Sequence, residues 1–221
     1  EQLQRIFNTY SKLNESLRNL NLSRLTPDRN TGEYLNNFSP LNNIQNLENL
    51  NLQSSKITDE QLEIILNPFN SKLSPSLINL NLSNCLLLND FSPLLYLQDI
   101  YFLNLNNTEI TNEQLRIILN PSSRLNKLLI SLNLGLCRNL NDFSILSNME
   151  NLEELSLFNT QITDEQLIKI LEANDGRLKQ TLRFLDLDCC RNISPELANQ
   201  LKSENPNIYI THSKPFEIEE D

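Results

Sequence analysis

The amino-acid sequence predicts an α/β solenoid. Its shape is a horseshoe with a concave parallel β-sheet, convex α and 3₁₀ helices, and alternating long (~30-residue) and short (~23-residue) repeats. Three observations lead there. The pattern L-x-x-L-x-L-x-x-(C/N/T/S) recurs along the chain, opening at Leu17, Leu47, Leu77, Ile100, Leu129, Leu152 and Leu182. Those openings lie 30, 30, 23, 29, 23 and 30 residues apart, so two repeat types interleave, and the full unit is the 53 residues from Leu47 to Ile100 or from Leu129 to Leu182. The longer type also continues with one helix-start signature: KITDEQLEIIL from Lys56, EITNEQLRIIL from Glu109 and QITDEQLIKIL from Gln161.

Each half of the unit follows from elementary physics. In L-x-x-L-x-L the alternating leucines turn one face of a short strand inward and leave the x positions to solvent. In the long type, Thr58, Thr111 and Thr163 each stand three residues before a glutamine (Gln61, Gln114, Gln166), the spacing of a capping box at a helix start. The helix that follows buries Leu62, Ile65 and Leu66, then their equivalents Leu115, Ile118, Leu119 and Leu167, Ile170, Leu171. In the short type, Ser39-Pro40 and Ser92-Pro93 resemble an N-cap followed by proline at the first helical position, with room for only a turn or two of helix or 3₁₀ helix. The first copy is a short-type repeat lengthened by an insertion around Thr26 to Tyr34. The last opens a longer helix at Ser194-Pro195-Glu196, running through Leu201, and Asn207 to Ile210 read as a closing strand before an acidic, solvated run from Glu217 to Asp221.

One repeat domain over residues 1–221 is expected, with 1–16 as a truncated repeat or cap helix, 17–205 as seven repeats and 206–221 as closing strand and tail. Glu1 to Ser23 align with Glu60 to Ser83 after one gap, so the chain opens inside a long-type helix without its capping threonine. This predicts a fragment of a longer protein, or else a first helix that caps the stack.

Composition narrows the function. Of the 221 residues, 39% are hydrophobic and 21% charged, within the soluble globular range, and no run approaches the ~18 apolar residues of a membrane helix. A formal charge of -10 and a pI near 4.7 argue against nucleic acid and anionic membranes as partners. The three glycines, Gly32, Gly135 and Gly176, are too dispersed for a phosphate-cradling loop. The single histidine, His212, rules out a two-histidine zinc site or a central Ser-His-Asp triad. No catalytic residue, cofactor site, metal site or small-molecule substrate is therefore expected, and the chain is read as a non-enzyme.

Cys85, Cys137 and Cys190 occupy the ninth repeat position, where Ser55, Thr108 and Thr160 stand in the alternate repeats, and a structural hydrogen-bonding role is expected for them. Two repeats separate successive cysteines, about 10 Å at ~4.8 Å per strand, which exceeds the reach of a disulfide. Cys189 is left as the more exposed thiol. Four unpaired cysteines point to a reducing compartment: the cytoplasm, or the host cytoplasm for an effector.

The solvent-facing strand positions hold the candidate binding residues. The central column, Asn21, Asn51, Asn81, Asn104, Asn133, Ser156 and Asp186, is a polar ladder. Against it stand the aromatics Tyr101, Phe102, Phe158 and Phe184, where burial inside the repeat does not explain them, surrounded by Glu153, Glu154, Asp186 and Asp188. Exposed aromatics on a concave surface are the usual anchors of a protein interface, and the carboxylates suit a partner presenting Lys or Arg beside apolar groups. The alternative is that the rings pack on one another or on a neighbouring domain.

The repeat pattern resembles the leucine-rich repeat family over nearly the whole chain. The ninth-position cysteines with the ITDEQL helix starts resemble the cysteine-containing repeats of F-box ubiquitin-ligase receptors, although the second cysteine usual near the helix of those repeats and an F-box segment are missing. The NDFSPL short repeats look like internalin-type repeats, and the alternation of two repeat types is similar to ribonuclease inhibitor. The resemblance implies a protein-binding module using its concave face, as the recognition arm of a ubiquitin-ligase adaptor or as a microbial effector. A structural subunit of a larger assembly is the alternative. A GTPase-activating role, which the fold also serves in nuclear transport, needs an arginine site on one rim, and Arg18, Arg24, Arg138, Arg183 and Arg191 form no such cluster.

Overall fold

The computed structural model describes residues 2–8, 10–24 and 35–213. The insertion around Thr26 to Tyr34 and the run from Glu217 to Asp221 lie outside them. Among the described residues eight short strands, β1 (Asn19–Asn21), β2 (Asn49–Asn51), β3 (Asn79–Asn81), β4 (Phe102–Asn104), β5 (Ser131–Asn133), β6 (Glu154–Ser156), β7 (Phe184–Asp186) and β8 (Tyr209–Thr211), form one parallel sheet in chain order. This is the α/β repeat solenoid expected. The register follows the sequence pattern, because Leu20, Leu50, Leu80, Leu103, Leu132, Leu155, Leu185 and Ile210 lie side by side in a single inward row. From Leu50 onward every member of that row is buried.

The turn leaving each strand is equally regular. The second residue after the last inward leucine takes a left-handed conformation in every repeat: Arg24, Ser54, Asn84, Asn107, Leu136, Asn159 and Cys189 have φ between 50° and 62°. Asparagine tolerates this region and supplies three of the seven positions, while the others hold it at some steric cost. The ninth-position side chain then closes the turn. Cys85, Cys137 and Cys190 direct their thiols at the carbonyls of Leu52, Leu105 and Leu157 in the preceding repeat, at 3.1, 3.1 and 2.9 Å. Thr108 and Thr160 donate to the same Leu105 and Leu157 carbonyls at 2.8 Å. Thiol and hydroxyl therefore share one acceptor, and all four cysteines are free of disulfides.

On the convex side, long-type repeats carry the α-helices and short-type repeats the 3₁₀ helices η1 (Ser39–Asn43), η2 (Ser92–Tyr96) and η3 (Ser144–Asn148). The helices α3 (Asp59–Leu66), α4 (Asn112–Ile118) and α6 (Asp164–Thr181) bury the leucine and isoleucine faces read from the sequence. α6 is broken at Ala173 to Gly176, where Asn174, Asp175 and Gly176 have positive φ. The capping box forms at Thr111 and Thr163, but the Thr58 hydroxyl makes no cap bond.

All three glutamines share a further task. Gln61, Gln114 and Gln166 give an amide hydrogen to the carbonyl of Asn36, Asn89 and Asn141 in the preceding short repeat. At the same helix starts the Oδ1 atoms of Asp59, Asn112 and Asp164 accept backbone N–H groups from the following repeat, including those of Asn89, Asn141 and Ser194. Each long-type helix start thus clasps the repeat on either side.

Other expectations are corrected in detail. The short 3₁₀ turns are capped by Asn37, Asp90 and Asp142, whose Oδ1 atoms accept the N–H of Ser39, Ser92 and Ser144 at 3.0, 2.9 and 2.9 Å; the serine–proline pairs do not supply the cap. A carboxylate or amide two residues upstream reaches the free N–H more readily than the serine's own side chain. A second helix the sequence reading did not contain, α5 (Arg124–Leu128), is capped by Ser123, which accepts from Asn126 at 3.2 Å. The last helix, α7 (Pro195–Glu204), opens on the Ser194 cap as expected but runs past Leu201, and the closing strand sits at Tyr209–Thr211. α1 (Gln2–Ile6) and α2 (Leu13–Ser16) precede β1.

Burial pushes the Cys85, Cys137 and Cys190 thiols above the ordinary value of 9.0, more than their hydrogen bonds lower it. The folded chain therefore keeps thiol protons that the unfolded chain has lost, so their contribution to stability is full below the ordinary thiol value and falls as pH rises past it. Urea unfolding between about pH 8 and about pH 10 should show that fall, and it should flatten in the combined variant Cys85→Ser, Cys137→Thr, Cys190→Thr. An unchanged slope in the variant would contradict the buried-thiol account.

Candidate functional site

The period-2 rule places three rows of side chains on the concave surface. One runs Asn19, Asn49, Asn79, Phe102, Ser131, Glu154, Phe184, Tyr209, and the central one Asn21, Asn51, Asn81, Asn104, Asn133, Ser156, Asp186, Thr211. The third lies two residues beyond the central row and carries Asn106, Gly135, Phe158 and Asp188 through its later repeats. The surface is thus amide-rich at its N-terminal end and aromatic and acidic at its C-terminal end.

The candidate residues divide into three places. Phe158, Glu154, Phe184, Asp186 and Asp188 belong to the last repeats, around β6 and β7. Phe102 is 39% exposed in the same row as Phe184, three strands away, about 14 Å at the usual strand spacing. Tyr101 lies outside this surface. It lines a groove of about 460 Å³ on the rim where the strands begin, with Arg18, Glu48, Ile78 and Asp99 among its neighbours, and Arg18 pairs with Glu48 at 3.4 Å. Glu153 occupies the equivalent rim position of its own repeat, where its carbonyl accepts the N–H groups of Arg183 and Phe184 at 2.7 and 3.0 Å.

One further candidate side chain lies on the closing strand. Tyr209, 70% exposed on β8, stacks on Phe184 with ring centroids 5.9 Å apart and planes 17° from parallel. The signal was present, because alternation along the closing strand puts Tyr209 in the row of Phe184. The two rings form a continuous aromatic platform at the end of the sheet, flanked by Glu154. Phe158 is supported differently. Its neighbour in the row is Gly135, where an added Cβ would lie 3.1 Å from the Phe158 Cβ and 2.7 Å from the Asn106 amide nitrogen, so the absence of a side chain lets the row close up.

The acidic groups also differ in kind. Asp186 is committed: its carboxylate accepts from Ser156 Oγ at 2.7 Å, Thr211 Oγ1 at 3.0 Å and the Asp188 N–H at 3.0 Å, tying β6, β7 and β8 together. The side chains of Glu153, Glu154 and Asp188 have no hydrogen-bond or ion-pair partner among the described residues, which leaves them available to a ligand. Among the described residues no group of three or more His, Cys, Asp or Glu side chains is placed to hold a metal ion, and no helix is long and apolar enough to cross a membrane.

Asp186→Ala should cost about 1–2 kcal/mol in chemical unfolding, since it strands two hydroxyls and a backbone N–H, while Asp188→Ala should stay within about 0.5 kcal/mol. Equal effects at the two positions would contradict this division of labour.

No family model and no curated protein matches the chain. Solved structures do. An internalin (InlF) of Listeria monocytogenes superposes with a TM-score of 0.55 at 21% identity, covering 95% of this chain and 54% of that one. Internalin C2 of the same organism gives 0.53 at 19% identity over 89% of this chain and 71% of the other. A leucine-rich repeat protein of Leptospira interrogans gives 0.57 at 21% identity over 89% and 49%. The chain spans about half the length of the first and third of these structures. At such identities the likeness establishes the fold, and the fold is that of a leucine-rich repeat solenoid.

Proposed function

We propose that the chain is a protein-interaction module that binds its partner through the C-terminal half of the concave face. The observation that carries this is the stacked pair of half-buried Phe184 and exposed Tyr209 at the end of the sheet, with half-buried Phe158 and the uncommitted carboxylates of Glu154 and Asp188 in the same repeats. Stacking covers part of Phe184 but leaves the Tyr209 ring largely in solvent, an exposed aromatic surface of the kind a partner covers. Such a platform takes an apolar group, and the carboxylates around it take Lys or Arg. Phe102 extends the contact across the sheet, and Tyr101 and Glu153 extend it to the rim.

The setting follows from the partner: recovery of a cullin-adaptor complex assigns the recognition arm of a ubiquitin ligase, and recovery of a host protein assigns a microbial effector. The thiol hydrogen bonds of Cys85, Cys137 and Cys190, which require the protonated S–H, support work in a reducing compartment, the cytoplasm or host cytoplasm.

A second reading, a structural subunit of a larger assembly, is favoured by the opposite end of the solenoid. Ile6 and Leu13 are 47% and 48% exposed there, whereas their repeat equivalents Ile65 and Leu73 are fully buried, and exposed apolar side chains of this kind suit an assembly contact.

Combined substitution of Phe102, Phe158 and Phe184 by alanine separates the readings. With circular dichroism unchanged, affinity for the captured partner should fall by about 2 kcal/mol or more per anchor. Full retention of affinity would remove the concave-face reading and leave the assembly reading.

A further inference from the structure

The central row of the concave face has a polarity that composition alone does not reveal. In Asn21, Asn51, Asn81, Asn104 and Asn133 the amide oxygen accepts the backbone N–H two residues further on, at 2.9 Å in every copy. A backbone N–H can only donate, so each bond fixes which end of the amide is oxygen and turns the Nδ2 group the other way. None of the five Nδ2 groups has a partner among the described residues. The row therefore offers five rungs of outward hydrogen-bond donors, with each amide oxygen turned to its own backbone. Over the first three repeats it lines an open groove of about 280 Å³ together with Asn19, Asn49 and Asn79. It changes character at Ser156, where Ser156 and Thr211 donate inward to Asp186.

We infer that this row is the docking track for an extended, basic segment of a partner protein, whose main-chain carbonyls take the amide donors while its further residues reach Phe158, Phe184 and Tyr209. The inference rests on the reading of the concave face as a protein-binding surface. A main-chain carbonyl accepts and never donates, which matches a row of donors. A sugar hydroxyl both donates and accepts, and along this row the groups turned outward are donors alone. The uncommitted Glu153, Glu154 and Asp188 and the net charge of -10 complement a segment carrying Lys or Arg, which a neutral glycan lacks. Dimensions agree as well. Rungs at ~4.8 Å and a chain advancing ~3.3 Å per residue bring three residues to two rungs, so about six residues cover the row and about eleven reach the aromatic platform.

The test uses the full chain and twelve-residue peptides selected against it from a random display library. The combined variant Asn51→Asp, Asn81→Asp, Asn104→Asp keeps the inner bond, as Asp186 does with the Asp188 N–H, but replaces each outward donor by a carboxylate oxygen. Added negative charge would strengthen attraction of a basic peptide, so a loss of binding isolates the donors. The expected result is peptides rich in Lys or Arg and apolar residues that bind the unsubstituted chain and weaken at least about tenfold on the variant, with its circular dichroism unchanged. If the combined variant does not fold, Asn81→Asp alone should weaken binding about threefold. Peptides that bind the variant as well or better overturn the docking track, and if they still weaken on Phe184→Ala, the concave-face reading stands without it. Neutral oligosaccharides binding in place of any peptide, with the same dependence on the asparagines, overturn the peptide occupant.

Discussion

No repeat of this solenoid can bury its own leucines; each is covered only by its neighbours, and the rest of the structure follows from that constraint. The inward row from Leu50 to Ile210 is closed off by strands pairing side by side in one register, so a slip of one residue would turn the row to solvent and bring the asparagines inward. The seven left-handed turn residues serve the same end, reversing the chain at one place in each repeat so that the next strand arrives in register. Four of the seven, Arg24, Ser54, Leu136 and Cys189, are neither glycine nor asparagine, which measures how strongly the surrounding repeat dictates that backbone.

Side chains hold the stack where the sheet does not. On the convex side the glutamine and the Asp or Asn at each long-type helix start reach in opposite directions along the solenoid, linking a helix to the short repeats before and after it. At the strand exits the shared Leu105 and Leu157 carbonyls bind a hydroxyl from their own repeat and a thiol from the next. These contacts explain why the two repeat types alternate. The long type supplies the clasp and the hydroxyl. The short type supplies the clasped backbone and a fully buried phenylalanine, Phe38, Phe91 or Phe143.

The fold was legible because it is written in periodicity. The leucine register, the long-type helices and the short 3₁₀ turns all follow from spacing that any one repeat confirms in the others. What spacing could not show was the choice among competing partners. Gln61 could cap its own helix or reach Asn36, and it does the latter while Thr58 caps nothing. Ser39 and Asn37 could each have capped the 3₁₀ turn, and reach decides for Asn37. The aromatic candidates were visible as residues out of pattern, but their grouping was not. Tyr101 falls on the rim because the strand begins one residue later, and Tyr209 does not stand out in the sequence because the closing strand lacks the full repeat motif. Asp186 stands among other carboxylates in the sequence pattern, and its three donors come from β6, β8 and the turn after β7, which spacing alone does not bring together.

The concave surface thus joins an amide track whose donors face outward to an aromatic platform edged by free carboxylates, and the two lie along one axis. The most direct test of this account is carbodiimide footprinting of carboxylates in the complex with the native partner, read residue by residue by mass spectrometry. The account predicts protection of Glu153, Glu154 and Asp188, with Glu60, Glu113 and Glu165 on the convex helices labelled as in the free chain. Protection of the convex glutamates with Glu153, Glu154 and Asp188 still open would contradict it.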